Sequence, residues 1–170
     1  MESVGTGKGT AGSKLIIQAA DKNDSRPLWV SVWGGANTLA QALHDARKEK
    51  SEKEMEQILS KLRVYTISDQ DDAGKWIRKE FPSLSYIVTP SGSWKEYYRA
   101  TWTGISGDRH YKNGPMHHFE LVDNPWLTEN IIENHGPLGK LYPNVAYIME
   151  GETPSFLGLI KNGLGWSVSP

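Results

Sequence analysis

The stretch from Trp29 to Leu43 constrains the fold more strongly than any other part of the chain. It begins as an apolar strand, passes through the glycine pair Gly34 and Gly35, and continues with the apolar spacing of a helix. A strand that leads directly into a helix is the repeating unit of α/β proteins, and in open α/β sheets ligands bind at the carboxyl ends of the strands. The stretch therefore predicts the fold class, and it indicates the edge of the sheet where a site is expected.

The same order of strand, polar loop and helix recurs along the chain. Segments with strand character lie at residues 28–33, 63–67, 84–88 and 146–149, and stretches with helical spacing separate them. Strands that alternate with helices are typical of a mostly parallel sheet. Apolar residues on both faces of the first strand indicate that helices cover the sheet on both sides. We predict an α/β fold of three layers, with a mostly parallel sheet between helices.

The chain of 170 residues is long enough for one domain with a modest core. Residues 1–12 are rich in Gly, Ser and Thr, so we expect a flexible N-terminal segment followed by one α/β domain at residues 13–170. Two predicted helices begin with a capping box, in which a Ser or Thr pairs with a Gln or Glu three positions later. The pairs are Thr38 with Gln41 and Ser51 with Glu54.

Composition excludes several classes of protein. A net charge of −1 provides no general attraction to nucleic acid or to an anionic membrane, and no apolar run approaches the roughly 18 residues of a membrane span. Because the chain has no Cys, it has no disulfides, thiolate chemistry or Cys-based zinc sites. Residues 1–12 contain no apolar signal core, so the chain as written is expected in the cytoplasm. A small molecule is the expected partner.

The loops after the first two strands carry the first candidate site residues. Backbone carbonyls near a glycine pair can ligate a hard cation, and the side chains of Asn37 and Thr38 can bind hydroxyl groups; a tight turn with a helix cap is the alternative. Three carboxylates, Asp69, Asp71 and Asp72, follow the second strand. They can bind a cation or accept hydrogen bonds from a sugar, whereas capping of the next helix accounts for one of them.

Two later segments supply further candidates. Glu150 and Glu152 follow the fourth predicted strand, where carboxylates suit a calcium ion; a polar turn is the alternative. Trp94, Tyr98 and Trp102 lie in a weakly periodic region, and their flat rings can stack on sugars or bases. The alternative is that these rings fold onto the body of the domain.

Four motifs together resemble a known family. They are residues 29–40 (WVSVWGGANTLA), 66–74 (TISDQDDAG), 98–102 (YRATW) and 150–157 (EGETPSFL). In this order they look like the nucleoside-hydrolase-like domain of bacterial and fungal proteins described as cellulose-binding. Residues 34–40 are also similar, more distantly, to the Gly-Pro-Leu-Thr-Asn-Leu-Ala turn of inosine–uridine-preferring nucleoside hydrolases. The resemblance covers nearly the whole chain beyond Ser13.

The resemblance implies a three-layer α/β fold with a cleft at the carboxyl ends of the strands. It also implies hydrolysis of N-glycosidic bonds, in which a calcium ion holds the ribose and lowers the pKa of an attacking water. By position, Asn37 matches the residue whose backbone carbonyl ligates calcium, and Glu152 matches a late Asp ligand. Members of the family are usually exported from the cell.

The chain departs from the family at its front. The family begins with a strand that ends in an Asp-rich cluster, which supplies most of the calcium carboxylates and the general base; no such segment precedes Ser13. We therefore expect the chain to represent the later part of a larger domain, and we assign no catalytic residue. A sheet without its first strand has an unpaired edge, which favours a homodimer.

Two functions remain open from the sequence. One is the ancestral hydrolysis of a nucleoside with calcium. The other is a carbohydrate-binding module without turnover, in which Trp94, Tyr98 and Trp102 form a stacking platform. The identity of the nucleoside or carbohydrate is not encoded in any of the motifs.

Overall fold

The structure is a computed structural model, and it describes residues 1–89, 102–103, 119–121, 123–143 and 149–150. The chain divides into two compact units, residues 1–94 and residues 95–170. The described elements of the first unit alternate between helices and strands as the sequence predicts. They are α1 (Ala11–Ala20), β1 (Leu28–Val32), α2 (Asn37–Glu49), α3 (Glu52–Lys61), β2 (Leu62–Thr66), α4 (Ala73–Glu80) and β3 (Ser85–Val88).

The strands of the first unit form a three-stranded sheet in the order β1-β2-β3. Both pairings are parallel, with Val32 opposite Thr66 and Thr66 opposite Val88. The α/β fold with a parallel sheet flanked by helices is therefore confirmed. Since β1 and β3 are the edges of this sheet among the described residues, association of two chains through an edge stays a prediction.

One face of the sheet provides the centre of the core. Along β2, residues Leu62, Val64 and Thr66 are buried, and the residues between them are partly exposed. This alternation follows from the strand, in which successive side chains point to opposite faces. The buried face packs against residues of the surrounding helices, and these include Leu39, Leu43, Ala46, Met55, Ile58 and Ile77.

The two predicted capping boxes have different outcomes. Ser51 and Glu54 form theirs: the Ser51 hydroxyl accepts a hydrogen bond from the Glu54 amide, and the Ser51 amide donates to the Glu54 carboxylate. The predicted box of Thr38 and Gln41 is wrong, because α2 begins at Asn37, two residues earlier than a Thr38 cap requires, and its cap, Ala36, has no side-chain hydrogen bond.

Gln41 instead holds the N-terminal segment against α2. Its buried amide accepts from the Gly5 amide at 2.8 Å and donates to the Gly5 carbonyl at 3.0 Å and to Asp45 at 2.8 Å. The side chains of Met1 and Val4 pack against the core. The segment that the sequence predicts to be flexible thus makes specific contacts with the helix that follows β1.

The second unit is described in part. A two-stranded antiparallel sheet joins β4 (Trp102–Thr103) to β5 (Met149–Glu150). The short helices are α5 (Asn124–Leu127), which continues as a π-helical turn, and α6 (Gly136–Gly139). Asp123 caps α5, and its carboxylate accepts a hydrogen bond from the Trp126 amide at 2.9 Å. Among the helices in the described part of the chain, none has the length and hydropathy that would span a membrane.

Candidate functional site

The carboxyl ends of β1 and β2 bring two of the predicted loops together. Because Val32 and Thr66 are register partners, the loops that follow them begin side by side. The Gln70 side-chain amide donates a hydrogen bond to the Trp33 carbonyl at 2.8 Å, which ties the two loops to each other. We call this edge, formed by residues 33–38 and 68–72, the rim.

Asp71 faces Gly35 across the rim. A Cβ atom built on Gly35 would lie 2.3 Å from Asp71 Oδ2, so the carboxylate occupies the space that a side chain at position 35 would need. Asp71 Oδ1 accepts a hydrogen bond from the Ala73 amide at 3.0 Å. Asp71 Oδ2 has no hydrogen-bond donor among the described residues, and it therefore remains an acceptor for a ligand.

Within the rim, Asp69 already forms an ion pair with Arg78. Arg78 donates to both carboxylate oxygens, at 2.9 Å to Oδ1 and 2.7 Å to Oδ2. The ion pair is the main reason that the pKa of Arg78 is raised. A bidentate ion pair of this kind is among the stronger hydrogen-bonding arrangements in proteins. Of the three predicted carboxylates, Asp69 is thus engaged inside the protein.

The other predicted residues of the rim are exposed. Asn37 and Thr38 lie in the first turn of α2, and Asn37 Nδ2 approaches Ser3 Oγ at 3.4 Å. Asp72 forms an ion pair with the amino group of Met1, and this hydrogen bond lowers the pKa of the Asp72 carboxyl. These side chains are accessible from solvent.

Trp33 is a rim residue that the sequence patterns did not single out. Its side chain is 49% exposed, although it directly follows a strand with buried residues. An indole ring that is half open to solvent offers a face on which a sugar ring can stack. The available signal was its position, since a large aromatic residue stands where the strand ends and the glycine pair begins.

The described residues of the rim do not by themselves fit a calcium ion. Calcium takes six to eight oxygen ligands, and no group of three or more His, Asp or Glu side chains in the described ranges could hold a metal. Asp69 is paired with Arg78, and Asn37, as the first residue of α2, directs its carbonyl along the helix axis. Glu152 lies outside the described residues, so its part in a metal site stays a prediction.

Trp102 and Glu150 belong to the second unit. Their backbones are register partners across the β4–β5 pair, so two predicted site residues lie opposite each other. Their side chains, and those of Trp94 and Tyr98, lie outside what the structure describes. Their contact with a ligand remains a prediction.

A cavity in the first unit lies away from the rim. Its volume is about 610 Å³, and it is lined by residues 20–25 before β1 together with Lys50, Glu54 and Lys61. The Lys61 ammonium already donates to the carbonyls of Ala20 and Lys22, at 3.0 and 2.6 Å. Within this open polar cleft, the Lys61 ammonium thus has a structural role, because it binds the carbonyl groups at and just beyond the carboxyl end of α1.

Comparison with known proteins places this geometry in a family. A family model described as "cellulose-binding Sde182, nucleoside hydrolase-like domain" matches residues 1–170. A comparison with curated proteins gives no match. Among solved structures, the chain is similar to a nucleoside hydrolase-related hypothetical protein from Saccharophagus degradans that is associated with carbohydrate metabolism, with 40% identity and a TM-score of 0.62.

The similarity covers 93% of this chain and 32% of that protein, so the chain spans about a third of its length. Both the family model and the solved structure agree with the resemblance carried by the four sequence motifs. The chain therefore belongs to the family of nucleoside hydrolase-like domains of the cellulose-binding Sde182 type.

Proposed function

We propose that this domain binds a saccharide at the rim. The proposal is carried by Asp71 Oδ2, which accepts no hydrogen bond from the described residues. The half-exposed ring of Trp33 belongs to the same rim. A carboxylate accepts charge-assisted hydrogen bonds from sugar hydroxyls, and an indole face stacks on a sugar ring.

The glycine pair leaves room for such a ligand. A Cβ atom on Gly34 would meet no described atom within 4 Å, so a ligand can approach the backbone closely. The exposed side chains of Asn37 and Thr38 add amide and hydroxyl groups, which can donate to and accept from a polyol. The rim therefore combines an apolar surface with polar groups of both kinds.

The comparisons support the class of ligand. The family description names cellulose, and the similar protein from Saccharophagus degradans is associated with carbohydrate metabolism. These statements concern those proteins. For this chain they favour a carbohydrate, and cello-oligosaccharides are the first probes to use.

Titration calorimetry with cellotetraose tests the proposal. Asp71→Asn keeps the shape of the side chain and removes its charge, and we expect it to weaken binding by about tenfold to a hundredfold, the value of a hydrogen bond to a charged group. Trp33→Ala is expected to weaken binding by about tenfold through the loss of stacking. The matched control is Asp24→Asn, which alters a partly exposed carboxylate outside the rim that pairs with Arg26.

Two results would contradict the proposed position of the site. If wild type binds cellotetraose and the Asp71 and Trp33 variants bind equally well, the ligand contacts another surface. If binding is lost in Trp102→Ala instead, the stacking platform lies in the second unit, as the aromatic residues Trp94, Tyr98 and Trp102 suggest from the sequence.

Calcium-dependent hydrolysis of an N-glycosidic bond is the second candidate function. It is favoured by the nucleoside hydrolase-like description of the family and of the similar solved structure. A calcium ion, when bound, would supply an activated water. Release of the base from inosine, measured with calcium and with a chelator, tests this candidate. Calcium-dependent release would favour hydrolysis, whereas saccharide binding that survives the chelator without release would favour the binding module.

A further inference from the structure

Arg78 forms the centre of a packed cluster that includes the rim residue Asp69. Its guanidinium group donates to both oxygens of Asp69 and lies 5.1 Å from the centre of the Tyr86 ring. The Asp69 side chain is 13% exposed and that of Arg78 is 31% exposed. The pair thus links the β2–α4 loop to the last turn of α4, and the Arg78–Tyr86 contact links it to β3.

Gly74 allows this cluster to close. A Cβ atom at Gly74 would lie 2.5 Å from Asp69 Oδ1 and 2.9 Å from the Tyr86 hydroxyl oxygen. The Tyr86 hydroxyl is buried and makes no hydrogen bond with the described residues, and burial raises its pKa. The Asp69 carboxylate therefore lies close to Gly74 and to the neutral phenol of Tyr86. Among the described residues, Arg78 is the cation that pairs with it.

We infer that Arg78 is a positioning residue for Asp71. Asp69 and Asp71 belong to the same short loop between β2 and α4, and the Arg78–Asp69 pair fixes one end of it while the Asp71–Ala73 hydrogen bond fixes the other. The pair holds the loop so that Asp71 faces Gly35 and its Oδ2 atom stays available to a ligand. This inference rests on the proposed function, because it assigns Asp71 as the ligand contact.

The Asp69 carboxylate needs a counter-charge because it is largely buried. Without the guanidinium group, a partly buried carboxylate would lose its counter-charge, and exposing it to water requires the loop to move. Because Asp69 and Asp71 are two residues apart in the same loop, a shift of Asp69 would strain the hydrogen bond from the Ala73 amide that holds Asp71. Loss of Arg78 would thus disturb Asp71 without touching the ligand.

Arg47 offers a matched control because it makes the same types of contact elsewhere. Its guanidinium group donates to Glu80 at 2.8 Å and lies 5.2 Å from the centre of the Phe81 ring. These contacts join the last turn of α2 to the end of α4, whereas the rim lies at the beginning of both helices. Arg47→Gln therefore removes an ion pair and a cation–π contact away from Asp71.

The test compares Arg78→Gln with Arg47→Gln in the full chain by amide hydrogen exchange and by cellotetraose titration. We expect Arg78→Gln to raise the exchange rate of the Ala73 amide by about tenfold relative to that of the Leu43 amide in α2, and to weaken cellotetraose binding by about tenfold. Arg47→Gln is expected to leave both quantities as in wild type, although it destabilises the chain.

Because the exchange measurement needs no ligand, the positioning role of Arg78 and the binding of a saccharide are tested independently. If wild type does not bind cellotetraose, the proposed function fails, while the Ala73 amide still reports on positioning. An Ala73 exchange rate in Arg78→Gln that changes no more than that of Leu43 would overturn the inference. Arg78→Lys keeps the positive charge but cannot form the bidentate pair. We expect its Ala73 exchange rate and its affinity for cellotetraose to lie between those of Arg78→Gln and wild type. It provides the same measurement if Arg78→Gln does not fold.

Discussion

Gly35 and Asp71 lie in contact across the two loops that form the rim. The Asp71 carboxylate occupies the position that a side chain at residue 35 would take, with Oδ2 only 2.3 Å from a Cβ atom built there. The close approach of the loops is possible because position 35 is a glycine. This relationship gives the paired glycines a role beyond a tight turn, since Gly34 has open space where Gly35 has a carboxylate.

Gly35→Ala should displace Asp71. The new methyl group would overlap the carboxylate, which the Ala73 amide holds in place, so the side chain or the loop must move. We expect cellotetraose binding to weaken by about tenfold and the free energy of unfolding to fall by about 1 kcal/mol. Calorimetry and urea denaturation measure the two effects. Gly9→Ala is the control, because its methyl group would lie 3.1 Å from a carboxylate oxygen of Asp45 outside the rim. An equal loss of binding in both variants would refute the specific role of Gly35.

Ser51→Ala should destabilise the chain more than Thr38→Ala. Ser51 caps α3 with its side chain, whereas Thr38 lies in the first turn of α2 without capping it. We expect a loss of about 1 kcal/mol for Ser51→Ala and less than about 0.5 kcal/mol for Thr38→Ala, from urea denaturation monitored by circular dichroism. Equal losses would mean that Thr38 caps α2 after all.

The capping box of α3 should weaken in acid. Hydrogen bonds from the Ser51 hydroxyl and amide hold the pKa of Glu54 below its usual value of 4.5. A carboxyl whose pKa is lowered by folding stabilises the protein above its unfolded pKa, and this stabilisation is lost as the pH falls through the folded value. We expect the stability difference between wild type and Glu54→Gln to shrink between about pH 6 and pH 3.

Urea denaturation at several pH values measures that difference. Glu56→Gln is the control, because Glu56 is an exposed carboxylate in the same helix. A difference between wild type and Glu54→Gln that is constant over this range would show that the Glu54 carboxylate does not contribute through the capping box.

Gln41→Ala should release the N-terminal segment from α2. The substitution removes both hydrogen bonds between Gln41 and Gly5, and the Gly5 carbonyl keeps only the Lys8 amide as a donor among the described residues. Each lost hydrogen bond costs about 1 kcal/mol. We expect lower stability and faster proteolysis within residues 1–10, measured by mass spectrometry of the fragments. Gln57→Ala, at an exposed position of α3, should leave both as in wild type. Unchanged cleavage in Gln41→Ala would show that Gln41 does not hold the segment.

Local patterns predicted most of the first unit because their signals lie within a few residues. The alternating burial of β2 and the Ser51–Glu54 box depend on periodicity and on neighbours three positions apart. The Thr38–Gln41 pattern fits the same local rule, yet Gln41 binds Gly5, because a distant backbone group competes for the amide. The order of strands and helices also placed two of the candidate loops at one edge of the sheet.

The sequence by itself determined the alternation of strands and helices, the family, and the residue types available at the rim. Only the tertiary structure decided what each carboxylate does, because Arg78 reaches Asp69 from another element and Gly35 meets Asp71 from another loop. Three carboxylates that look equivalent in the sequence thus differ in the fold. The physical reason is that a charge is engaged or available according to its neighbours in space, and those neighbours are set by how the strands pair.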